Sequence, residues 1–555
     1  MAPEPSASAP IPVSASMFPA VTGGWQSLLP VAALLAVVIA AVFYPCLVAG
    51  YINWDDLAIV RDNPNVSSFS LHSLNNIFSS YNVGHYQPLT TLSFLAEHVI
   101  FGGGAKVSHA LNIAFHILNS FLAYLVAFCF LKDRRKALLA ALIFAVHPMH
   151  VESVAWVSER KDMMYSVFYM WAIICYARRS GEGPYENYMP LLGLFTLALL
   201  AKSMAITLPL VLLLMDFLKE GRITKDRFVE KGPLLAIACL FAHMAVISQG
   251  KAGFVRSYSL HKIFDGMCIA CGNLIFYVWR FVIPVGMSPF YPYPGRGIYD
   301  VPPIYCFAPL LFVPLAWAAW KFASRKKLYI VGLLFFLATI APGLQFIPSG
   351  RGLAGDHFTY IPYLGLIFIL ADIALNNYDA LAVAGRRALT AVMAVLLLAL
   401  GVESHAYCYV WKDSVTVWTH VLSLSPMTPL AYNNRGVAEY RIGMIDKAVA
   451  DLRLAVIADP KSARFMSNYG TMLVAQRKMP LAVHYYKIAV AMDPKNLEYL
   501  NNLGSCYYIL GDLDLAEEEF KLAVEASYDD DLSVKHLNYV HKKILEMRRT
   551  GEHKS

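Results

Sequence analysis

Residues 426–436 read PMTPLAYNNRG, residues 460–470 read PKSARFMSNYG, and residues 494–504 read PKNLEYLNNLG. The three stretches keep one register of 34 residues, opened by Pro426, Pro460 and Pro494 and closed by Gly436, Gly470 and Gly504. Small residues recur at Ala448/Ala482/Ala516 and Ala455/Ala489/Ala523, and a bulky one at Leu452/Tyr486/Phe520. Small positions let two helices approach closely, and the bulky position fills the gap to the next pair. The C-terminal part is therefore expected to be a stack of helix pairs.

This spacing is the tetratricopeptide pattern, kept without insertion through three units, which is near the minimum for a stable array. Asp413 to Ser425 resembles a lone second helix that caps the stack, and Lys535 to Ser555 reads as a solvating helix and frayed end. Asn434, Asn468 and Asn502 each lie two residues before the marker glycine. An Asn amide both donates and accepts, so a ladder of them on a concave face would clamp an extended peptide backbone. Asn is also simply common at this repeat position.

Outward from the repeats the composition changes. The whole chain of 555 residues is 57% hydrophobic and only 15% charged, against roughly 25% charged in soluble proteins. The deficit lies before residue 410, so the body is read as integral membrane protein. The net charge of +7 needs no nucleic acid to explain it, because the basic residues cluster in short loops as cytoplasmic loops do. The nine cysteines are scattered, most of them in apolar segments (Cys129, Cys175, Cys239), and point to neither zinc nor a disulfide framework. Met1 to Gly24 is rich in Pro, Ala and Ser without Lys or Arg, and reads as a disordered tail before a retained first helix.

Apolar runs at 28–49, 107–131, 137–150, 163–177, 188–201, 203–218, 232–248, 302–320, 328–345, 361–376 and 388–407 predict about eleven crossings of the length a bilayer needs. Residues 268–284 are read as re-entrant or interfacial. Lys132–Lys136, Arg178-Arg179, Lys219–Arg227, Arg325–Lys327 and Arg386-Arg387 then mark the cytoplasmic side. The loops at 50–106, 147–162, 250–267 and 346–360, and the repeat tail, fall on the outer side. The expected architecture is all-α: a disordered tail (1–27), a polytopic helical body (28–410), a tetratricopeptide solenoid (411–545) and a terminal tail (546–555).

The outer loops hold most of the chemistry: Asp55, Asp56, Arg61, Asp62, His85 and Gln87, then His147, His150, Glu152, Glu159, Arg160, Lys161 and Asp162, then Arg351, Asp356, His357 and Tyr360. Ionisable groups near lipid are costly to hold and are often functional. Transfer of a sugar from a lipid phosphate needs a carboxylate to take the acceptor's proton and cations to hold the leaving phosphate. Asp55 or Asp56 could supply the first, and Arg160, Lys161, Lys202 or Arg351 the second. A lipid phosphate is already an activated leaving group, so neither a metal nor another cofactor is required. His109, Asn112 and His116, at i, i+3 and i+7 on one helix face, read as a polar packing stripe rather than a metal or catalytic set.

These residues carry a resemblance. Trp54-Asp55-Asp56, Asn63, Ile77-Phe78, Tyr86-Gln87-Pro88-Leu89, His109, Asn112 and His116 resemble the first lumenal loop and second helix of the transmembrane-and-tetratricopeptide-repeat proteins. The run from His147 to Ala155 and the run from Asp356 to Pro362 resemble two later blocks of that family, the repeats follow in the family order, and the resemblance covers the chain from residue 28 to 545. The resemblance implies a GT-C-fold glycosyltransferase that O-mannosylates protein from a dolichyl-phosphate sugar. It places Asp55 and Asp56 at the acidic catalytic pair. His147, His150 and Glu152 would line the same cavity, with Arg160, Lys202, Arg351, Asp356 and Tyr360 as substrate contacts. Gln87 and His357 stand where the family commonly has Arg, with Arg351 near enough to compensate. The short repeat array suits a bacterial inner-membrane protein with a periplasmic tail and an undecaprenyl-phosphate sugar donor, or else an ER protein with a lumenal tail. Three readings compete: a transferase acting on a protein captured by the repeats, one acting on a glycolipid or envelope polymer, and a non-enzymatic membrane anchor for the repeats; a transporter, the weaker fourth, would want charged or broken-helix sites near the bilayer midplane rather than at one face.

Overall fold

The computed structural model describes residues 25–81, 84–179, 188–251, 260–293, 327–346 and 352–526, with isolated positions among 305–321 and 534–546. The chain divides into two compact units, Met1–Asp413 and Ser414–Ser555. The expected tails at 1–24 and 547–555, the crossing at 302–320 and Arg351 lie outside the described residues.

The first unit is built from helices α1 (Leu29–Phe43), α2 (Pro88–Phe101), α3 (Ala105–Leu131), α4 (Arg134–Val146), α5 (Arg160–Ala177), α6 (Tyr188–Ala201), α7 (Leu208–Glu220), α8 (Gly232–Lys251), α9 (Leu260–Val282), α10 (Lys327–Ile340), α11 (Tyr363–Leu375) and α12 (Val383–Cys408). One short antiparallel strand pair joins Tyr291–Pro292 to Gly352–Ala354. Helix α3 is the hub, packed against α1, α4, α5 and α11, and its second half, Leu122–Leu131, is buried throughout. Local chemistry sets the breaks. Lys132 adopts the left-handed conformation and ends α3, and the Asp133 carboxylate accepts from the backbone N–H groups of Arg135 and Lys136 to start α4. Helices α10 and α11 cross backbone to backbone, since a Cβ on Gly332 would lie 2.6 Å from the Gly365 carbonyl oxygen.

Four helical spans among the described residues are long and apolar enough to cross a bilayer: Gln26–Val48, Ala105–Leu131, Gly232–Gly250 and Val383–Trp411. Arg134–Val146 and Pro148–Ala155, bent by 57°, make a fifth if taken together. This corrects the expectation of about eleven crossings. The runs at 163–177, 188–201, 203–218, 328–345 and 361–376 do form helices, but these cover only 13 to 18 residues, short of the roughly 20 a crossing takes. Charged ends and proline breaks limit them: α5 begins on Arg160-Lys161-Asp162, and Pro209 opens α7. The segment read as re-entrant at 268–284 belongs to a continuous 23-residue helix, α9. It carries Cys268 and Cys271, the one CxxC pair of the sequence, and no third metal ligand joins them among the described residues.

In the second unit α13 (Ser414–Leu424) packs on α14 (Pro429–Arg441), followed by the helix pairs α14/α15 (Ile445–Ala458), α16 (Ala463–Ala475)/α17 (Met479–Met492) and α18 (Leu497–Leu510)/α19 (Leu513–Ala526). The marker glycines are where paired helices touch. A Cβ on Gly470 would meet the Tyr486 ring at 3.0 Å, and one on Gly504 the Phe520 ring at 2.9 Å.

Candidate functional site

The segment before α5 is wound into short turns because proline interrupts α4. His147 precedes Pro148 and is extended, which stops the helix. A 3-10 turn (Pro148–His150), a five-residue helix (Val151–Ala155) and a second turn (Val157–Glu159) then carry the chain to Arg160. The loop after α1 reaches this segment through an apolar cluster of Ile59, Val60, Val66, Ile77, Phe94, Leu95 and Val157.

Asp56 locks the two segments together. One of its carboxylate oxygens accepts from the Ile52 N–H (2.9 Å). The other accepts from the Ser158 N–H (2.9 Å) and the Ser158 hydroxyl (2.5 Å). Its side chain is fully buried, and burial raises its pKa to about 6 against the pull of those bonds. Asp55 is half-buried and close enough to Lys161 to stabilise its charge. The two adjacent carboxylates thus have different surroundings: Asp56 is enclosed by the backbone it ties down, and Asp55 faces the charged cluster.

That cluster is compact. The Lys161 ammonium bonds Glu159 (2.8 Å), and the Lys202 ammonium bonds both Glu159 (3.5 Å) and Asp162. Burial opposes ionisation of Glu159, but His357, Lys161 and Lys202, in that order, outweigh it and hold the carboxyl well below its ordinary range. Burial, with Glu159 beside it, raises Asp162 to about 7. Burial opposes the Lys161 charge as well, and Glu159 and Asp55 overcome it and raise its pKa. His357 donates its backbone N–H and its Nδ1–H to the two oxygens of Glu152, each at 3.0 Å. Burial lowers His357 to about 4, with the lysines assisting. Ligand atoms of Glu159, Asp162 and His357 lie within 4.8 Å of one another, a set that could hold a metal ion. Lys202 already bonds both of those carboxylates, so protein ammonium supplies positive charge at that point.

Aromatic rings form one wall. Trp54 stacks on Trp156 (4.8 Å between centroids) and meets Phe290 edge-on (5.6 Å). Lys161 lies over Trp156 and Lys202 over Phe358. Beside Lys202 a shallow dimple, with room for about one water molecule, is lined by Gly84, His85, Tyr86 and Ser203 on one side and Phe241, Met244 and Ala245 of α8 on the other. Burial lowers His85 to about 3, and Lys161 and Lys202 add to the effect.

Several expected site residues stand behind this surface as framework. Arg160 is fully buried, paired with Glu97 (2.6 Å) and bonded to the Asn112 side-chain oxygen and the Ser108 carbonyl. His147 accepts from the Met149 N–H at Nδ1, so its Nε2–H donates to the Phe281 carbonyl. His150 donates from Nδ1 to the Phe144 carbonyl. Tyr360 bonds His116 (2.7 Å) and Asn119 (3.3 Å). Asp356, also buried, accepts from the Tyr291 hydroxyl (2.9 Å). The stripe of His109, Asn112 and His116 contacts the Gly50, Val154 and Ala145 carbonyls, which ties α3 to two of the outer loops and to the end of α4. Sequence reasoning missed Glu97, Ser158 and the Trp54–Trp156 stack. The first two are polar residues without a motif of their own, whereas Trp54 stands next to Asp55 and could have been read with it.

In the repeat unit the Asn residues bond one another. Asn468 donates to Asn433 (2.8 Å), and Asn433 donates to Asn434 (2.9 Å). Asn434 is buried, and Asn468 and Asn502 are half-buried. The chain of amides thus runs through Asn433, one residue aside from the expected column.

Fold and site together describe a mainly helical membrane protein with a charged, aromatic-walled cluster and a tetratricopeptide tail. The tetratricopeptide repeat family model matches residues 470–531. The chain is similar to proteins named as protein O-mannosyl-transferases of the TMTC group. Mouse TMTC3 is 29% identical over 41% of this chain and 25% of its own length. Drosophila melanogaster Tmtc1 is 33% identical over 26% of this chain and 17% of its own. Caenorhabditis elegans F38B6.6 is 22% identical over 77% of this chain and 62% of its own. The match thus spans only a quarter of the mouse relative. Among solved structures, the Sgt2 TPR domain from Aspergillus fumigatus is 22% identical, covering 23% of this chain and 85% of that one with a TM-score of 0.22. The structure of MamA is 18% identical, covering 23% and 76% with a TM-score of 0.23.

Proposed function

We propose that this chain is a GT-C-type membrane glycosyltransferase. It moves a hexose such as mannose from a polyprenyl-phosphate donor to a protein hydroxyl on the outer face, and the repeat tail recruits the acceptor or a partner. The observation that carries the reading is the half-buried Asp55 beside Lys161, in a cluster where Lys161 and Lys202 are held by buried Glu159 and Asp162. Asp55 takes the proton of the acceptor hydroxyl as its oxygen attacks the anomeric carbon. The bond from that carbon to the phosphate oxygen breaks, and the polyprenyl phosphate leaves with its added negative charge facing the two ammonium groups. A single displacement of this kind inverts the anomeric centre. The Trp54–Trp156 wall offers a face for the sugar ring. Asp56 acts on Asp55 through the backbone, as a positioning residue.

The names of the TMTC relatives support protein as the acceptor. The test compares the full chain with a variant ending at Asp413, both in native membranes, given labelled polyprenyl-phosphate sugars. Loss of label on protein by the truncated variant alone supports recruitment by the repeats. Label that moves to glycolipid or polymer in both would replace the protein acceptor, and failure of transfer with every donor would overturn the transferase reading.

A further inference from the structure

The first and last long spans run side by side at one end. The His405 ring nitrogen donates to the Val42 carbonyl (2.9 Å), and the Gly50 N–H donates to the Lys412 carbonyl (2.9 Å). Val42 also packs on Gly401, where a Cβ would come within 3.6 Å of it. Residues 42 and 50 therefore face 405 and 412 in a parallel register, and midway between these two ties stand Cys46 and Cys408. Their thiols hydrogen-bond to each other, and both are buried. Two isolated cysteines, 362 positions apart in sequence, meet thiol to thiol between two backbone-anchored ties.

We propose that Cys46 and Cys408 form a disulfide that staples the N-terminal span to the C-terminal span. The meeting of the thiols provides the near approach that a disulfide needs. In the reaction the two thiols lose two protons and two electrons, one S–S bond forms, and the disulfide of a dithiol-exchanging oxidant protein is reduced to two thiols. Such oxidants act on the outer side of the bacterial inner membrane and in the ER lumen, so the bond also marks which side this end of the bundle faces. The staple would hold the chain entering the Asp55 loop, since Gly50 lies between Cys46 and Asp55 and is tied to Lys412. Trp411, three residues past Cys408, stacks on Trp156 of the aromatic wall. The proposal depends on the packing of the two spans and is independent of the transferase reading.

The test counts free thiols in the full-length protein. Native membranes are quenched in acid and denatured, and the protein is alkylated without reductant and weighed by mass spectrometry. If the bond exists, Cys46→Ala releases Cys408, and the number of alkylated cysteines rises by one relative to wild type. Cys408→Ala does the same by releasing Cys46. A peptide linking residues 46 and 408 is recovered from wild type only. If each single substitution instead lowers the count by one, both thiols are free and the proposal is overturned. Because thiols are counted after denaturation, the result does not depend on how well either variant folds or whether it transfers sugar.

Discussion

Replacing Asp56 by Ala separates a strut from a base. The substitution removes the acceptor of the Ile52 and Ser158 backbone N–H groups and of the Ser158 hydroxyl. The hydroxyl can rotate to another acceptor, but the two N–H groups are left stranded at about 1–3 kcal/mol each, a loss of about 2–6 kcal/mol. At pH 7 this is partly offset, because a carboxyl raised from 3.8 to about 6 is ionised there at a cost of about 3 kcal/mol. The offset depends on pH with a definite sign. Between pH 4 and 6 the folded state holds the Asp56 proton and the unfolded state does not, so wild type gains stability as pH falls through that window. From pH 7 to pH 5 the gain is about 1 kcal/mol, and the Ala variant lacks it. Thermal unfolding in detergent should therefore show Asp56→Ala less stable than wild type, with the gap wider at pH 5 than at pH 7. Asp55→Asn leaves the three bonds to Asp56 in place and should keep most of the wild-type gain toward pH 5, its own cost being the charge lost beside Lys161. If Asp56→Ala were as stable as wild type at both pH values while losing transfer, Asp56 would be a reacting group and the strut argument would fail.

Further expectations follow from the same geometry. Asp55→Asn should lower transfer by about 10²–10⁴-fold with donor binding retained, as single-turnover kinetics against equilibrium binding would show. Lys202→Met leaves Asp162 without its ammonium partner. It should weaken donor binding and lower the unfolding temperature together, and a lowered temperature with unchanged binding would remove Lys202 from the phosphate site. Gly504→Ala forces a Cβ to 2.9 Å from the Phe520 ring. It should destabilise the third repeat by about 1–3 kcal/mol, read as faster proteolysis after residue 496. His357, held to about 4 in the folded protein, binds its proton more readily when unfolded, so it removes stability as pH falls from about 6.5 to about 4. His357→Gln should flatten that part of the stability profile.

The repeat tail was largely legible because its packing is local. Each Gly and its bulky partner lie 16 residues apart in one helix pair, so a period of 34 states the contact directly. The body was legible as helices and less so as crossings. Apolarity marks burial in protein as well as burial in lipid, and α5, with Tyr169, Met170 and Ile173 fully enclosed, is buried by its neighbours. The site was half legible. Acidic and basic residues in the outer loops could be collected from sequence, but their division into surface and framework could not. Asp55 and Asp56 are adjacent and chemically identical, and the bonds that Asp56 takes from Ile52 and from Ser158, 102 positions away, distinguish them. Arg160 and Lys161 are likewise neighbours on one helix start, where one faces Glu97 and the other Glu159. The chain direction at a helix N-terminus decides such questions, and no residue pattern records it.

The most direct test of the central claim is single-turnover transfer in native membranes from labelled polyprenyl-phosphate mannose to envelope or lumenal proteins, with Asp55→Asn as the paired control. The account predicts label on protein with wild type, its loss with Asp55→Asn, and inversion at the anomeric carbon of the product. Equal labelling by wild type and Asp55→Asn, or a product that retains the donor's configuration, would contradict it.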